Sequence, residues 1–426
     1  MSDKMFTKVM YWLRPGVGIK RWCVLLGLGV LLLAIAIAMV ILRYYYPVLN
    51  DSNIYLRGDF IWTRAVLLLV GGIIVIVYAF MKVSKEIIEP FAPTGRSVAS
   101  VVAERRRKSR GPRIVVIGGG TGMSTMLRGL KEYTSNITAI VTMADDGGSS
   151  GKLRRDLGVL PPGDLRNCIV ALADDEALLT QLFKYRFGDG DSIKGHSFGN
   201  LFITAMSEVT GSFERALAVS GQVLAIGGRV LPSTLEDVKL IADIRQQVGN
   251  TVHRVVGESA IPQEIGVIER VHLEPENVPA HPHALSAILS AELIVLGPGS
   301  LYTSVIPNLL VVDIASAIEN SRGLKVYVSN LATQMGETDR FSLSMHTEVI
   351  NQYVDESFRL ILSNNRYVGK LLPKMAWVKV DTDISLGWDI VARDLVDETS
   401  PWRHDPDKLA RALVELLDER STNAVL

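Results

Sequence analysis

The sequence predicts an α/β protein: a Rossmann-like parallel sheet preceded by two transmembrane helices. Three features carry that expectation. Two uncharged apolar runs occupy much of residues 22–81. From Arg113 onward, short β-branched runs alternate with amphipathic stretches, the order of βαβ units in a parallel sheet. Glycine clusters stand where two of the strand-like runs end, as in folds that hold phosphates at strand ends.

The first apolar run, residues 22–42, has 21 residues without a charge, and the second, residues 65–81, has 17. At about 1.5 Å per residue the first crosses a hydrocarbon core of about 30 Å, and the second sits at the short end of the spanning range. A signal peptide is excluded by the length of the first run and by the lack of a small-residue cleavage site after it. Arg43 and Tyr44-Tyr45-Tyr46 follow the first run, as interfacial anchors do. A polar segment with Pro47, Asn50, Asp51 and Asp59 separates the two. Lysine and arginine set the orientation. Lys4, Lys8, Arg14, Lys20 and Arg21 precede the first run, and Lys82, Lys85, Arg105-Arg106-Arg107-Lys108 and Arg110 follow the second. The segment between has Arg43, Arg57 and Arg64. The positive-inside rule then makes this a two-pass protein of the cell membrane, with its main domain in the cytoplasm.

Basic and acidic residues balance at 45 each over 426 residues, but the balance hides an asymmetry. Residues 1–112 carry 16 basic against 6 acidic side chains, which leaves 29 against 39 beyond them. An acidic main domain argues against nucleic acid as a partner, and the basic part points to a lipid bilayer. Residues 1–83 are expected to form the membrane anchor and 113–426 the main domain. Residues 84–112, with Pro90, Pro93 and Gly95 before the basic run, are expected to be a linker that meets anionic headgroups or simply flanks the span. Cys23 and Cys168 are the only cysteines, so a disulfide scaffold and an all-cysteine zinc site are excluded.

Within the main domain, Ile114-Val115-Val116-Ile117 has the composition of a strand buried on both faces. Residues 123–133 follow at helical spacing, and further strands are expected at 137–143, 293–296, 310–312 and 325–328. The first strand leads into Gly118-Gly119-Gly120-Thr121-Gly122. Glycines there let the backbone approach a phosphate at a helix N-terminus. The spacing is G-x-G-x-G, not the G-x-G-x-x-G dinucleotide fingerprint, so a tight turn is the alternative. The second strand leads into Asp145-Asp146-Gly147-Gly148-Ser149-Ser150-Gly151-Lys152. Acidic groups there can bind a ribose hydroxyl or hold Mg²⁺ through oxygen ligands, and a plain surface turn competes with both. A P-loop is excluded, because Asp146 stands where its first glycine belongs and Leu153 follows Lys152.

Pro161-Pro162-Gly163-Asp164-Leu165-Arg166-Asn167 gathers a carboxylate, a guanidinium and an amide on one stiff turn. His196-Ser197-Phe198-Gly199-Asn200 opens another helix, with His196 either in the site or structural. Gly297-Pro298-Gly299-Ser300 repeats the strand-to-glycine logic and is a second candidate anion cradle. His281-Pro282-His283 is expected to be a helix entrance, since no third metal ligand stands near it in sequence.

Taken in order, IGGGTGMS, TMADDGGSSGKLRRD, PPGDLRN, GHSFGNLF, GPGSLYTSVIPNLLV and NLATQMGETD resemble the gluconeogenesis-factor (YvcK-like) family. That family lies in the superfamily of the 2-phospho-L-lactate transferase, CofD. The tail Arg403-His404-Asp405-Pro406-Asp407-Lys408-Leu409-Ala410 continues the match, so the resemblance covers nearly all of residues 113–426. It implies a CofD-like nucleotide-binding domain with a nucleotide-sugar ligand, notably UDP-N-acetylglucosamine. It also implies roles in growth on gluconeogenic carbon sources and in cell shape. The transferase branch is Mg²⁺-dependent and moves a phospholactyl group from a nucleotide-activated donor, but DDGGSSG and PPGDLRN are the wording of the YvcK-like branch. Three departures stand out: the two spans, Met335 in place of the proline of NLxTQPGET, and Pro406 where some relatives carry a hydroxyl.

Motifs and resemblance together give an expected ligand-binding set of Gly118, Gly119, Gly120, Thr121, Gly122, Asp145, Asp146, Asn167, His196, Asn200, Gly299, Ser300 and Arg403. The resemblance gives Arg403 the uridine nucleotide. Asp146 and Asp164 are the candidates for a metal ion or a catalytic role. The expected function is a nucleotide-sugar-binding regulator of carbon metabolism and cell shape that turns nothing over. The alternative is a Mg²⁺-dependent phosphoester transferase. Which nucleotide sugar binds, and whether protein partners or a homo-oligomer take part, are open at this level.

Overall fold

A computed structural model describes residues 20–45, 60–88, 98–173, 177–188, 193–246, 249–355, 357–381 and 387–423. The basic tail with Lys4, Lys8 and Arg14, the polar segment with Pro47, Asn50, Asp51, Arg57 and Asp59, and Tyr46, Pro90, Pro93 and Gly95 lie outside the described residues. The chain divides into two compact units, Met1–Arg105 and Arg106–Leu426.

The first unit contains α1 (Lys20–Tyr45) and α2 (Phe60–Ile88). Within them, Lys20–Leu42 and Trp62–Glu86 are long and apolar enough to cross a membrane. The seam between them is made of small residues. Ala36, Ala65 and Ala79 are buried, and a methyl on Gly29 or Gly72 would meet the other's carbonyl oxygen at 3.1 or 3.0 Å. Close backbone contact of this kind drives helix pairing where the surroundings are as apolar as the side chains. At one end of the hairpin Arg21 pairs with Glu86 at 2.7 Å, and the Trp22 indole N–H donates to the same carboxylate at 2.9 Å. The start of α1 and the end of α2 therefore share one end of the hairpin. The expected linker is partly regular: α3 (Val98–Ser109) ends in Arg106, Arg107 and Lys108.

The second unit is built on two sheets. In chain order the strands are β1 (Ile114–Gly118), β2 (Ile137–Val141), β3 (Arg229–Pro232), β4 (Lys239–Arg245), β5 (Val252–Val256), β6 (Val267–Glu274), β7 (Leu293–Leu296), β8 (Leu324–Val328), β9 (Leu360–Asn364) and β10 (Asp389–Arg393). β4, β5 and β6 form a small antiparallel sheet, and the others form a parallel sheet in the order β10-β9-β8-β7-β1-β2-β3. Every residue of β1, β2 and β7 is buried, as central strands covered on both faces require. The sheet winds one way through β1, β2 and β3 and the other way through β7 to β10, so the direction reverses between β1 and β7. These two pair in register from Ile114↔Leu293 to Ile117↔Leu296. In open parallel sheets the crevice beyond the carboxyl ends at such a reversal is where ligands bind.

One expected strand is corrected. Residues 310–312 join the short helix Ile306–Leu309 to the helix Val312–Asn320. Val311 is fully buried, and a short apolar run does not distinguish a buried strand from a buried helix boundary. The runs at 114–117, 137–143, 293–296 and 325–328 do contain strands.

The hydrogen bonding of the second unit begins upstream of Arg113: Asn136 Nδ2 donates to the carbonyls of Ser109 and Gly111 at 3.0 and 2.7 Å. A fragment starting at Arg106 should be soluble and melt in one cooperative transition. A fragment starting at Arg113 should melt about 2–4 °C lower, on the loss of about 1 kcal/mol; calorimetry of the two checks this.

Candidate functional site

Two glycine turns meet at the reversal point. After β1 the chain passes Gly119 in extended conformation and reaches Gly120 at φ +68, in the left-handed region, where the helix Gly120–Leu130 begins. A side chain at Gly120 would be strained by that backbone. After β7 the turn Gly297-Pro298-Gly299-Ser300 runs into the π-helical turn Leu301–Val305. A methyl at Gly122 would stand 2.5 Å from the Pro298 carbonyl oxygen, so the turns pack backbone against backbone.

The loop after β8 locks the second turn. Asn330 accepts from Gly299 N at 3.2 Å and donates to Gly299 O at 2.9 Å. Gln334 Nε2 donates to Ser300 Oγ at 2.7 Å. Glu337 accepts from Tyr302 N and Thr303 Oγ1 at 3.2 and 3.0 Å. The NLATQMGETD motif is thus a clamp on the neighbouring turn, and Met335, where the family pattern has proline, is exposed.

Between the turns opens a cavity of about 260 Å³, lined by Gly120, Thr121, Gly122, Thr125, Gly299, Ser300, Asn330, Trp402, Arg403 and His404 among others. Six of the expected residues thus share one cavity: Gly120, Thr121, Gly122, Gly299, Ser300 and Arg403. Gly118 belongs to β1, where its carbonyl accepts from Thr142 N at 3.2 Å. Burial pulls the His404 imidazole down to about 4, so it is neutral at physiological pH.

On the other side of Gly120 the surroundings turn acidic. Asp164, near the start of the helix Gly163–Leu172, accepts from Gly120 N at 2.7 Å. A protein carboxylate, not a ligand, therefore takes this N–H of the glycine loop. Asp145 accepts from Gly147 N at 3.0 Å, and Asp146 from Ser259 N at 2.9 Å. Burial, reinforced by neighbouring carboxylates, pushes Asp164 up to about 6 and Glu258 up to about 8. Burial also raises Asp145. Arg166 opposes this charge, although burial draws its guanidinium down to about 10. Among the described residues no group of three His, Cys, Asp or Glu side chains is arranged to hold a metal ion. Asp146 and Asp164 each direct one oxygen to a backbone N–H, of Ser259 and Gly120 respectively.

Asn167, His196 and Asn200 belong to a frame centred on Arg166. Its guanidinium donates to Asn200 Oδ1 at 2.9 Å, to Asn167 Oδ1 at 2.7 Å and to Ser197 Oγ. Asn200 Nδ2 donates to Ser149 Oγ at 3.0 Å, and Ser149 Oγ shares a hydrogen bond of 3.0 Å with His196 Nδ1. Asn200 and His196 are buried; they hold the acidic loop in place without lining the cavity. His281 caps the helix Pro282–Ser290, its Nδ1 accepting from His283 N at 3.2 Å, which is the expected helix entrance. Glu214 lies 3.4 and 3.5 Å from the two imidazoles, a neighbour that sequence distance hid.

Several residues escape the sequence analysis. Glu258 and Ser259 lie in the turn that follows β5, where a lone acid in VVGESA gives no signal. Asn330, Gln334 and Glu337 lie in a motif that is visible, but their task of clamping another loop is not. Trp402 and His404 flank Arg403 in a tail marked by resemblance alone.

Residues 114–421 match the family described as 2-phospho-L-lactate transferase CofD. The gluconeogenesis factor of Bacillus subtilis (strain 168) is 41% identical over 72% of this chain and 99% of its own length. That of Listeria monocytogenes is 42% identical over 74% of this chain and 98% of its own. A Nostoc sp. (strain PCC 7120) protein named "Putative gluconeogenesis factor" is 44% identical over 95% of this chain and 91% of its own length, a stretch that reaches into the anchor. The crystal structure of a UPF0052 family member from Bacillus halodurans is similar with a TM-score of 0.67 at 41% identity, covering 72% of this chain and 99% of that one. The reversed parallel sheet and its facing glycine turns make this a CofD-like α/β protein. The chain belongs to the gluconeogenesis-factor family.

The acidic cluster gives a pH signature. Glu258 ionises near 4.5 in an unfolded chain but at about 8 in the fold, so the folded state holds its proton over that window. Stability must then fall as pH rises from about 4.5 to 8. Glu258→Gln should flatten that decline and melt about 2–4 °C above the parent at pH 9, with the gap closing near pH 4. Melting curves from pH 4 to 9 check it; a variant with the parent's slope would contradict it.

Proposed function

We propose that this protein is a membrane-anchored, nucleotide-sugar-binding regulator whose ligand resembles UDP-N-acetylglucosamine. The observation that carries the proposal is the composition of the crevice. Two glycine turns and Arg403 line the cavity on one side of Gly120, where phosphates need N–H donors and a guanidinium. Asp145, Asp146 and Asp164 stand on the other side, where ribose or sugar hydroxyls need acceptors. The ligand's state of binding then reports on carbon metabolism, in keeping with the name that the relatives carry, and on cell shape.

We propose that the two helices cross the bilayer as a hairpin, so that both flanking segments lie on one side; the lysines and arginines there support that side being the cytoplasm. A phosphatase reporter fused after Leu426 should be inactive and a fluorescent one active; the reverse would overturn the orientation.

Purified protein should bind UDP-N-acetylglucosamine equally well with and without EDTA and return it unchanged by mass analysis. Arg403→Ala should weaken binding at least about tenfold, the scale of a lost charge-assisted pair. One observation favours the transferase alternative: Asp164, at about 6, suits proton transfer near neutral pH. Mg²⁺-dependent conversion of the nucleotide, abolished by Asp164→Asn, would replace the regulator with that enzyme.

A further inference from the structure

Two arginines come from segments that pack together beside the cavity. Arg403 lines it. Arg128 lies on the helix that the first glycine turn opens, and its Nη2 donates to Thr125 Oγ1 at 2.9 Å; Thr125 lines the same cavity. The segments that carry the two arginines are closely packed. A methyl on Gly129 would stand 2.0 Å from the Pro406 carbonyl oxygen and 2.8 Å from Ala410 Cβ, so the helix Gly120–Leu130 is pressed against the segment that carries Arg403.

Among the described residues no carboxylate forms an ion pair with either guanidinium, and Asp397 feels Arg403 without pairing with it. Burial first, and then the charge of Arg403, draw Arg128 below its usual range. Like charges held together in this way are relieved by an anion that both can reach. A guanidinium offers a planar fork of N–H donors that matches one phosphate group, so two of them suit two linked phosphates.

We propose that Arg128 and Arg403 form a two-guanidinium clamp for a diphosphate, Arg403 on one phosphate and Arg128 on the other. Arg128 then sets the preference for a diphosphate over a monophosphate. The clamp deepens the nucleotide-sugar proposal and rests on it for the identity of the ligand, but its own chemistry is that of a bare diphosphate.

The test uses the full chain in detergent micelles and titration calorimetry with UDP, UMP and inorganic pyrophosphate at fixed ionic strength. Arg128→Gln should weaken UDP and pyrophosphate at least about fivefold and UMP less than about twofold. Arg128→Lys, which keeps the charge, should recover part of the loss and guards against a folding defect. Equal losses for UMP and UDP, or no loss for either, would overturn the clamp. Arg128-dependent binding of pyrophosphate by a parent protein that takes no nucleotide would support the clamp while refuting the nucleotide-sugar proposal. Binding of UDP-N-acetylglucosamine that is indifferent to Arg128→Gln would do the opposite.

Discussion

The carbonyl oxygen of Pro298 lies where a side chain on Gly122 would have to stand, and most of the ligand site depends on that contact. It brings together the turns that follow β1 and β7, the two strands between which the sheet reverses its winding. Such a reversal opens a crevice in any fold of this class. What is particular to this chain is how the crevice is fixed. Asn330, Gln334 and Glu337 hold the second turn from the β8 side, while Asp164 holds the first through Gly120 N. A backbone pinned on both sides need not be ordered when a ligand binds, which reduces the entropic cost of binding.

The same arrangement divides the site electrically. Carboxylates crowd one side of Gly120 closely enough to raise each other's proton affinity, with Arg166 as their counter-charge. Arginines that lack a carboxylate partner stand on the other side. A ligand with phosphates at one end and hydroxyls at the other, as the proposed nucleotide sugar has, matches both halves. The glycine spacing departs from the dinucleotide fingerprint.

Much of this was legible in the sequence because it is local. Buried β-branched runs announced β1, β2, β7 and β8, and their glycines announced the turns. The two uncharged runs announced the hairpin, whose Gly29–Gly72 seam follows from small residues in an apolar setting. What stayed hidden is non-local. Glu258 reaches the acidic cluster from the turn after β5, and Glu214 reaches His281 and His283 from 67 residues upstream of His281. His196 and Asn200 are buried in a hydrogen-bonded frame with Ser149 and Arg166, whose partners are far apart in sequence. Residues 310–312 misled for a different reason: a buried helix boundary and a buried strand have the same local composition.

The central claim is that ligand enters between the two glycine turns, and hydrogen exchange of the backbone amides tests it most directly. With saturating UDP-N-acetylglucosamine, peptides covering residues 118–125 and 297–305 should both gain protection, together with the segment around Arg403. Peptides in the β4–β5–β6 sheet away from Ser259 should not change. Protection confined to one turn, or protection elsewhere with both turns unaffected, would contradict the claim.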